Sequence, residues 1–252
     1  MNSTQRINIT SESLDQFLQD GYFVLPGVIP PEELEDLRLE CDRLVALKDA
    51  ELEKQGREGQ GITHRNSRYF LGGYGMGSQI LQRFLFGTQM AEICKATLGS
   101  NVYLFNEQFV VKAAERGMKF SWHQDSGYVG HPHEPYLSCW CALDPVCEEN
   151  GTVSILPYSR AGNKRIAPHK REEETNDLVG YTGDDPGIPV EGPEGTIAVF
   201  SSVTFHRSSA NLSPKPRRVY LTQYSAEPIL NRDGSALWHW AEPFFVNGEL
   251  VK

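Results

Sequence analysis

The sequence predicts an α+β domain in which antiparallel strands dominate, and three observations carry that expectation. Helical periodicity is confined to the first part of the chain. From Val102 onward the texture changes to short apolar or alternating runs, at 102–111, 118–123, 136–143, 152–156, 195–206 and 217–225, set apart by Gly, Pro, Asn and Asp clusters. That is the pattern of an antiparallel β sandwich or barrel. Such runs resume after the polar stretch 160–193, which is therefore expected as a loop or lid and not as a linker. One domain is expected over 1–252, with a helical part at about 1–98, a β core at about 102–226 and a tail at 227–252.

Ser11 to Leu18 reads as a short helix with a Ser cap, followed by Gly21 and an apolar strand from Tyr22 to Leu25. Pro30-Pro31-Glu32-Glu33 opens a longer helix, since proline and acids favour a first turn. Leu34, Leu37, Cys41, Leu44 and Val45 then form one apolar stripe. Lys48 to Gly61 shows no such stripe beyond its first residues and is expected as a fraying helix end plus loop. Residues 62–78 are glycine-rich and aromatic, which predicts a mobile segment over a site; Ile80 to Leu98 returns to helical periodicity.

The formal charge is −9 with no Lys/Arg block, which argues against nucleic acid or an anionic membrane as the main partner. No window approaches the ~20 apolar residues of a membrane span, and the polar opening MNSTQRINIT has no secretory character. A cytoplasmic protein acting on a small molecule is expected. Cys41, Cys94, Cys139, Cys141 and Cys147 are odd in number and form no Cys-x-x-Cys pair, as expected of reduced thiols.

His64 and His169 lie in polar stretches and are expected to be solvated, while His239, between Trp238 and Trp240, is expected as a packed aromatic. His131-Pro-His133 makes a poor metal pair, because Pro132 cannot donate to a ladder and no acidic ligand follows at useful spacing. His123-Gln124-Asp125 differs. It closes a run that reads as a strand end, and residues i and i+2 of an extended chain face the same side. An imidazole and a carboxylate are thus presented together, although His-x-Asp alone also suits a surface turn. His206 ends a second apolar run, with Ser208 on its face. Arg217 then opens a strand in which it shares the aliphatic face with Val219 and Leu221, where a buried cation needs an anion; Arg218 faces solvent. Two histidines and a carboxylate form the facial triad of non-haem Fe(II) sites. The open positions suit a bidentate 2-oxo acid plus O2, and Arg217 can hold a distal carboxylate with its fork.

With these residues in place the chain resembles the phytanoyl-CoA dioxygenase family of Fe(II)/2-oxoglutarate-dependent oxygenases over nearly its whole length. The resemblance rests on Leu14-Asp-Gln-Phe17 with Asp20-Gly-Tyr-Phe-Val-Leu-Pro-Gly27 and Pro31-Glu-Glu-Leu34, and on His123-Gln-Asp125. It continues through Trp140-Cys-Ala-Leu-Asp144, Asn150-Gly151 and Leu156-Pro157-Tyr-Ser159 to His206-Arg-Ser208-Ser-Ala-Asn211 and Arg217. It implies a double-stranded β-helix (jelly roll) with flanking helices and His123, Asp125 and His206 as iron ligands. Arg217 and Ser208 are implied on the distal carboxylate of 2-oxoglutarate, with Gln108 and Trp140 lining the co-substrate pocket. The implied reaction is oxidation of a small organic molecule, hydroxylation by default, with decarboxylation of 2-oxoglutarate to succinate; desaturation or ring formation are alternatives. Related halogenases carry Ala or Gly at the position of Asp125, so halogenation is not expected.

Tyr69, Phe70, Tyr74, Trp238 and Trp240 are candidate walls for an apolar or aromatic substrate. Lys164, Arg165, Lys170 and Arg171 form a small basic cluster, balanced by Glu172, Glu173 and Glu174 and expected to be solvated. The acidic balance disfavours a polyanionic substrate as large as CoA. Two rival readings remain at this point. A non-catalytic jelly roll with a structural metal would need a fourth protein ligand, and a zinc hydrolase would leave Arg217 and Ser208 without a role.

Overall fold

Two antiparallel sheets face each other in a computed structural model that describes residues 7–252; the first six residues of the polar opening lie outside the described residues. Helix α1 (Ser11–Asp20) is capped by Thr10, whose hydroxyl accepts from the Ser13 N–H, one residue before the expected Ser cap. It stops at Gly21, φ 83°, where a Cβ would lie 2.5 Å from Thr204 Oγ1 and from the Tyr158 ring. Strand β1 (Tyr22–Leu25) follows directly. Helix α2 (Pro31–Lys54) begins with proline and two glutamates, and its Leu34, Leu37, Cys41 and Leu44 are buried as their spacing predicts. It does not fray at Lys48. Leu52, fully buried, continues the stripe two turns further.

Residues 62–78 are not a free flap. They contain the short strand Thr63–His64 and then β2 (Arg68–Gly72), which pairs along its length with β3 (Val102–Lys112). Tyr69 and Leu71 bury themselves under the helices, and this burial overrides the glycine content. The helix expected over 80–98 is two helices, α3 (Gln79–Leu85) and α4 (Thr88–Thr97), with Gly87 as the N-cap of the second.

The other main strands are β4 (Phe120–His123), β5 (Leu137–Ala142), β6 (Val153–Leu156), β7 (Ile197–Ser201), β8 (Phe205–Ser208), β9 (Arg217–Ser225) and β10 (Glu242–Val246). The large sheet runs β1-β7-β5-β9-β3-β2, with β10 also paired to β3, while the smaller sheet runs Ile188–Pro189, β6, β8, β4. This is the jelly roll expected. One core lies between the large sheet and α2–α4, built from residues such as Leu37, Phe84, Ile93, Phe109 and Tyr220; a second lies between the sheets, around Trp140, Ile155, Phe200, Val219 and Leu221.

Strand register sorts the inner face of the large sheet into rows. Arg68, Lys112 and Arg217 stand opposite one another on β2, β3 and β9. Two residues along come Phe70, Val110, Val219 and Ala142, then Gln108, Leu221 and Trp140, then Asn106, Gln223 and Ser138. Past that row the β3–β9 register slips, with Leu104 opposite Tyr224, so Phe105 is an extra residue and the alternation of β3 inverts. Phe105 consequently sides with Asn106 toward the interior between the sheets, against Tyr136.

Candidate active site

His123 ends β4 and His206 sits on the adjacent strand β8, directly paired with it. Each imidazole is fixed through Nδ1, His123 on the Ser121 carbonyl at 2.8 Å and His206 on the Thr204 carbonyl at 3.1 Å. These bonds leave both Nε2 atoms free. They converge on Asp125 Oδ1, at 3.7 Å from His123 and 3.4 Å from His206. The other carboxylate oxygen, Oδ2, accepts from Ser138 Oγ at 2.5 Å and from Gln223 Nε2 at 2.9 Å. Among the described residues this is the one group of three or more such side chains whose donor atoms lie close enough, within 4.8 Å, to share a metal ion.

The electrostatics favour ligation. Burial and the neighbouring His206 push the His123 pKa down to about 3, so its ring is neutral at physiological pH. Burial alone would raise the Asp125 pKa, but His206, His123 and the Ser138 hydroxyl outweigh it and hold the carboxyl down to about 2. Two imidazoles and a carboxylate fit a divalent first-row metal and leave the remaining positions open.

A cavity of about 230 Å³ extends from these atoms along the inner face of the large sheet, and it also receives His239. At its far row Arg217 is 1% exposed. Its guanidinium lies over the Trp140 ring at 5.4 Å and donates weakly to the Val110 and Gly151 carbonyls, at 3.4 and 3.3 Å. Its Nε has no partner, and no carboxylate lies within ion-pair distance among the described residues. Burial presses its pKa from 12.5 down to about 10. Lys112, beside it, is also buried without an acid; its Nζ donates to the Ser209 carbonyl, and burial and Arg217 push its pKa well down. Only Arg68 is neutralised, by Asp177 at 3.0 Å, both fully buried. A buried, uncompensated guanidinium at the end of a cavity, with a second basic group beside it, fits an anionic ligand.

Of the residues singled out in the sequence, His123, Asp125, His206, Arg217, Ser208, Gln108, Trp140, Phe70 and Trp238 all line this cavity. Three candidate walls do not. Tyr69 is buried beneath the helices, its hydroxyl on Asp49 at 2.8 Å, because it alternates with Phe70 on β2. Tyr74 and Trp240 pack against that same helical core. Neither His64 nor His169 is solvated. Both are partly buried; His64 Nε2 has no hydrogen-bond partner, and His169 Nε2 accepts from the Gln124 N–H at 3.0 Å. Lys164, Arg165, Lys170 and Arg171 are exposed, as expected, with Lys164 donating to the Leu18 carbonyl and Arg171 to Asn176. Arg218 is not free in solvent: it is held by Asp144 at 2.7 Å and Asp42 at 2.9 Å.

Sequence reasoning missed Arg68, Lys112, Asn106, Gln223, Ser138 and Phe105. Strand parity would have found four of them. Lys112 and Asn106 share the parity of Gln108, Gln223 that of Arg217, and Ser138 that of Trp140.

A jelly roll with a His-x-Asp…His constellation at one end of its cavity and a buried arginine at the other defines a metal-dependent enzyme that takes an anionic ligand. The family model for phytanoyl-CoA dioxygenase (PhyH) matches residues 17–219, and the chain belongs to that family. It is a non-haem Fe(II)/2-oxoglutarate-dependent dioxygenase, with O2 as the second co-substrate. The ectoine dioxygenase of Bordetella bronchiseptica is 26% identical over 244 residues, covering 88% of this chain and 78% of that protein. A probable alpha-ketoglutarate-dependent hypophosphite dioxygenase of Stutzerimonas stutzeri is 26% identical over 235 residues, covering 86% and 78%. Among solved structures, EctD from S. alaskensis with 2-oxoglutarate and 5-hydroxyectoine superposes with a TM-score of 0.70 at 21% identity, over 99% of this chain and 89% of that one. The carbocyclase SnoK from nogalamycin biosynthesis gives 0.69 at 20%, over 90% and 88%. No helix among the described residues is long and apolar enough to cross a membrane.

Proposed function

We propose that His123 Nε2, His206 Nε2 and Asp125 Oδ1 hold the iron and that Arg217, with Ser208, binds the distal carboxylate of 2-oxoglutarate. Gln108 and Trp140 flank the co-substrate between these ends. The observation that carries this reading is the pairing of a three-atom donor set with an unpartnered buried guanidinium along one cavity. Iron, when bound, supplies the activation of O2 that drives oxidation of the substrate and decarboxylation of the 2-oxo acid. The chain's own residues orient and enclose. Nδ1 bonds to carbonyls fix both imidazoles, Trp140 supports the Arg217 guanidinium, and Phe70 and Trp238 wall the substrate side of the cavity.

The reaction is hydroxylation of a C–H bond of a small molecule. Asp125 supplies the carboxylate that a halogenating site lacks, so chloride has no place to bind. A cavity of about 230 Å³ that must also take the co-substrate favours a compact substrate, on the scale of ectoine, the compound for which the relatives are named. The chain from 1 to 252 acts as one catalytic domain in the cytosol. Anaerobic titration of the protein with Fe(II) and 2-oxoglutarate tests the assignment: a weak visible charge-transfer band is expected, absent in His123→Ala and His206→Ala. A wild-type protein without the band, or variants that keep it, would overturn the ligand set.

A further inference from the structure

Asp125, at the start of the turn after β4, is held by more than its own segment. Its Oδ2 receives Ser138 Oγ and Gln223 Nε2, and Gln223 Nε2 also lies 3.0 Å from Ser138 Oγ. The Gln223 amide is oriented in turn: its Oε1 accepts from Asn106 Nδ2 at 2.9 Å. A glutamine amide is nearly symmetric in shape, and only its partners decide which end is the donor. The acceptor-only carboxylate of Asp125 takes the N–H end here, and Asn106 holds the other end by donating its own N–H to Oε1.

Three of these four residues come from the register already described. Asn106, Gln223 and Ser138 are opposite one another on β3, β9 and β5, a cross-strand row that ends at the carboxylate. Gln223 and Ser138 are buried, so neither has solvent to satisfy its amide or hydroxyl instead. The row saturates Oδ2 with two donors and leaves Oδ1 facing the two imidazoles.

We infer that Asn106, Gln223 and Ser138 act as one positioning relay that restricts Asp125 to a single ligating oxygen, with Asn106 exerting its effect only through Gln223. The inference rests on the proposed ligand set. A carboxylate free to rotate would offer both oxygens to the metal and take a position that the co-substrates need. The relay prevents this by making Oδ2 a hydrogen-bond acceptor before any metal arrives.

The test measures metal affinity and spectrum rather than turnover. Fe(II) is titrated anaerobically into wild type, Asn106→Ala, Gln223→Leu and the double variant, and the charge-transfer band is then recorded with 2-oxoglutarate. Gln223→Leu should weaken Fe(II) binding by about 10–100-fold, the range typical of residues that orient ligands, and should move the band. Asn106→Ala should weaken it less in the wild-type background and by nothing in the Gln223→Leu background, since the two act in series. Additive effects, or Gln223→Leu with unchanged affinity and band, would overturn the relay. If Gln223→Leu does not fold, as judged by melting of the metal-free protein, Asn106→Ala decides alone: wild-type affinity and band would overturn the inference. Failure of the ligand set gives a different result, because Asp125→Ala would then bind Fe(II) like wild type.

Discussion

Replacing Arg217 by Met separates the two roles that a buried cation can have. In the metal-free, ligand-free protein the charge is a burden. A pKa pressed from 12.5 to about 10 opposes the charged form by about 3 kcal/mol, at 1.36 kcal/mol per pKa unit. Against this stand two long hydrogen bonds, at 3.3 and 3.4 Å, and the face of Trp140, the last contributing about 0.5–2 kcal/mol. Met fills similar volume without a charge to desolvate, so the opposing effects nearly cancel. Arg217→Met is expected to unfold within about 1 kcal/mol of wild type, a change of roughly 2–4 °C in Tm for a domain of this size. In the holoprotein the sign reverses. Removing one partner of a buried charge pair costs roughly 2–5 kcal/mol, and 3 kcal/mol is about two orders of magnitude in Kd. Thermal melts and calorimetric titration with Fe(II), with and without 2-oxoglutarate under argon, read both quantities. Retention of 2-oxoglutarate affinity within about fivefold would refute the anion-site argument. A ligand-free variant destabilised by more than about 3 kcal/mol would make Arg217 structural instead.

Two further outcomes follow from buried charges elsewhere. Asp177→Asn leaves Arg68 unpaired at a fully buried position, and urea unfolding should report a loss of about 3–5 kcal/mol; a loss below about 1 kcal/mol would show that the Ile62 and Lys119 carbonyls, which also accept from Arg68, suffice. His169 is held neutral because burial lowers its pKa from 6.5 and because its Nε2 must accept the Gln124 N–H. The unfolded chain then binds the extra proton, so this contribution is present above about pH 6.5 and lost as pH falls below it. Urea unfolding of the metal-free protein at pH 7.5 and 5.5 should show a smaller stability loss in His169→Gln than in wild type. Identical losses would sink the idea.

The parts of the site that alternation can reach were legible in the sequence. Arg217 is separated from Arg218 by a parity argument alone, and it is Arg217 that is buried while Arg218 pairs with surface acids. The same argument, carried one strand further, would have placed Lys112; a lysine at the end of Phe-Val-Val-Lys reads instead as a solvated strand terminus. What no local pattern holds is the pairing of residues from distant segments. Arg68 and Asp177 are 109 residues apart, and only the closed fold makes them a pair. Tyr69 and Phe70 are both aromatic and adjacent, yet they fall on opposite faces, and the choice depends on β2 joining β3. The glycines of 62–78 suggested mobility because composition does not reveal that a strand will be covered by helices. The extra residue at Phe105 inverts parity midway along β3, which defeats simple alternation beyond it.

Strand β9 carries Arg217 at one end of the cavity and Gln223, the support of Asp125, at the other. Six residues of extended chain separate them, about 20 Å at ~3.3 Å per residue, and the register slip comes only after Gln223. That strand is a ruler. The span between the proposed anion anchor and the proposed metal carboxylate would then be set first by backbone spacing. A dicarboxylic 2-oxo acid one methylene shorter or longer would meet one end of the ruler out of step with the other. Choice of co-substrate would then be tied to the fold's hydrogen-bond ladder, whereas the proposed substrate wall at Phe70 and Trp238 lies on other segments.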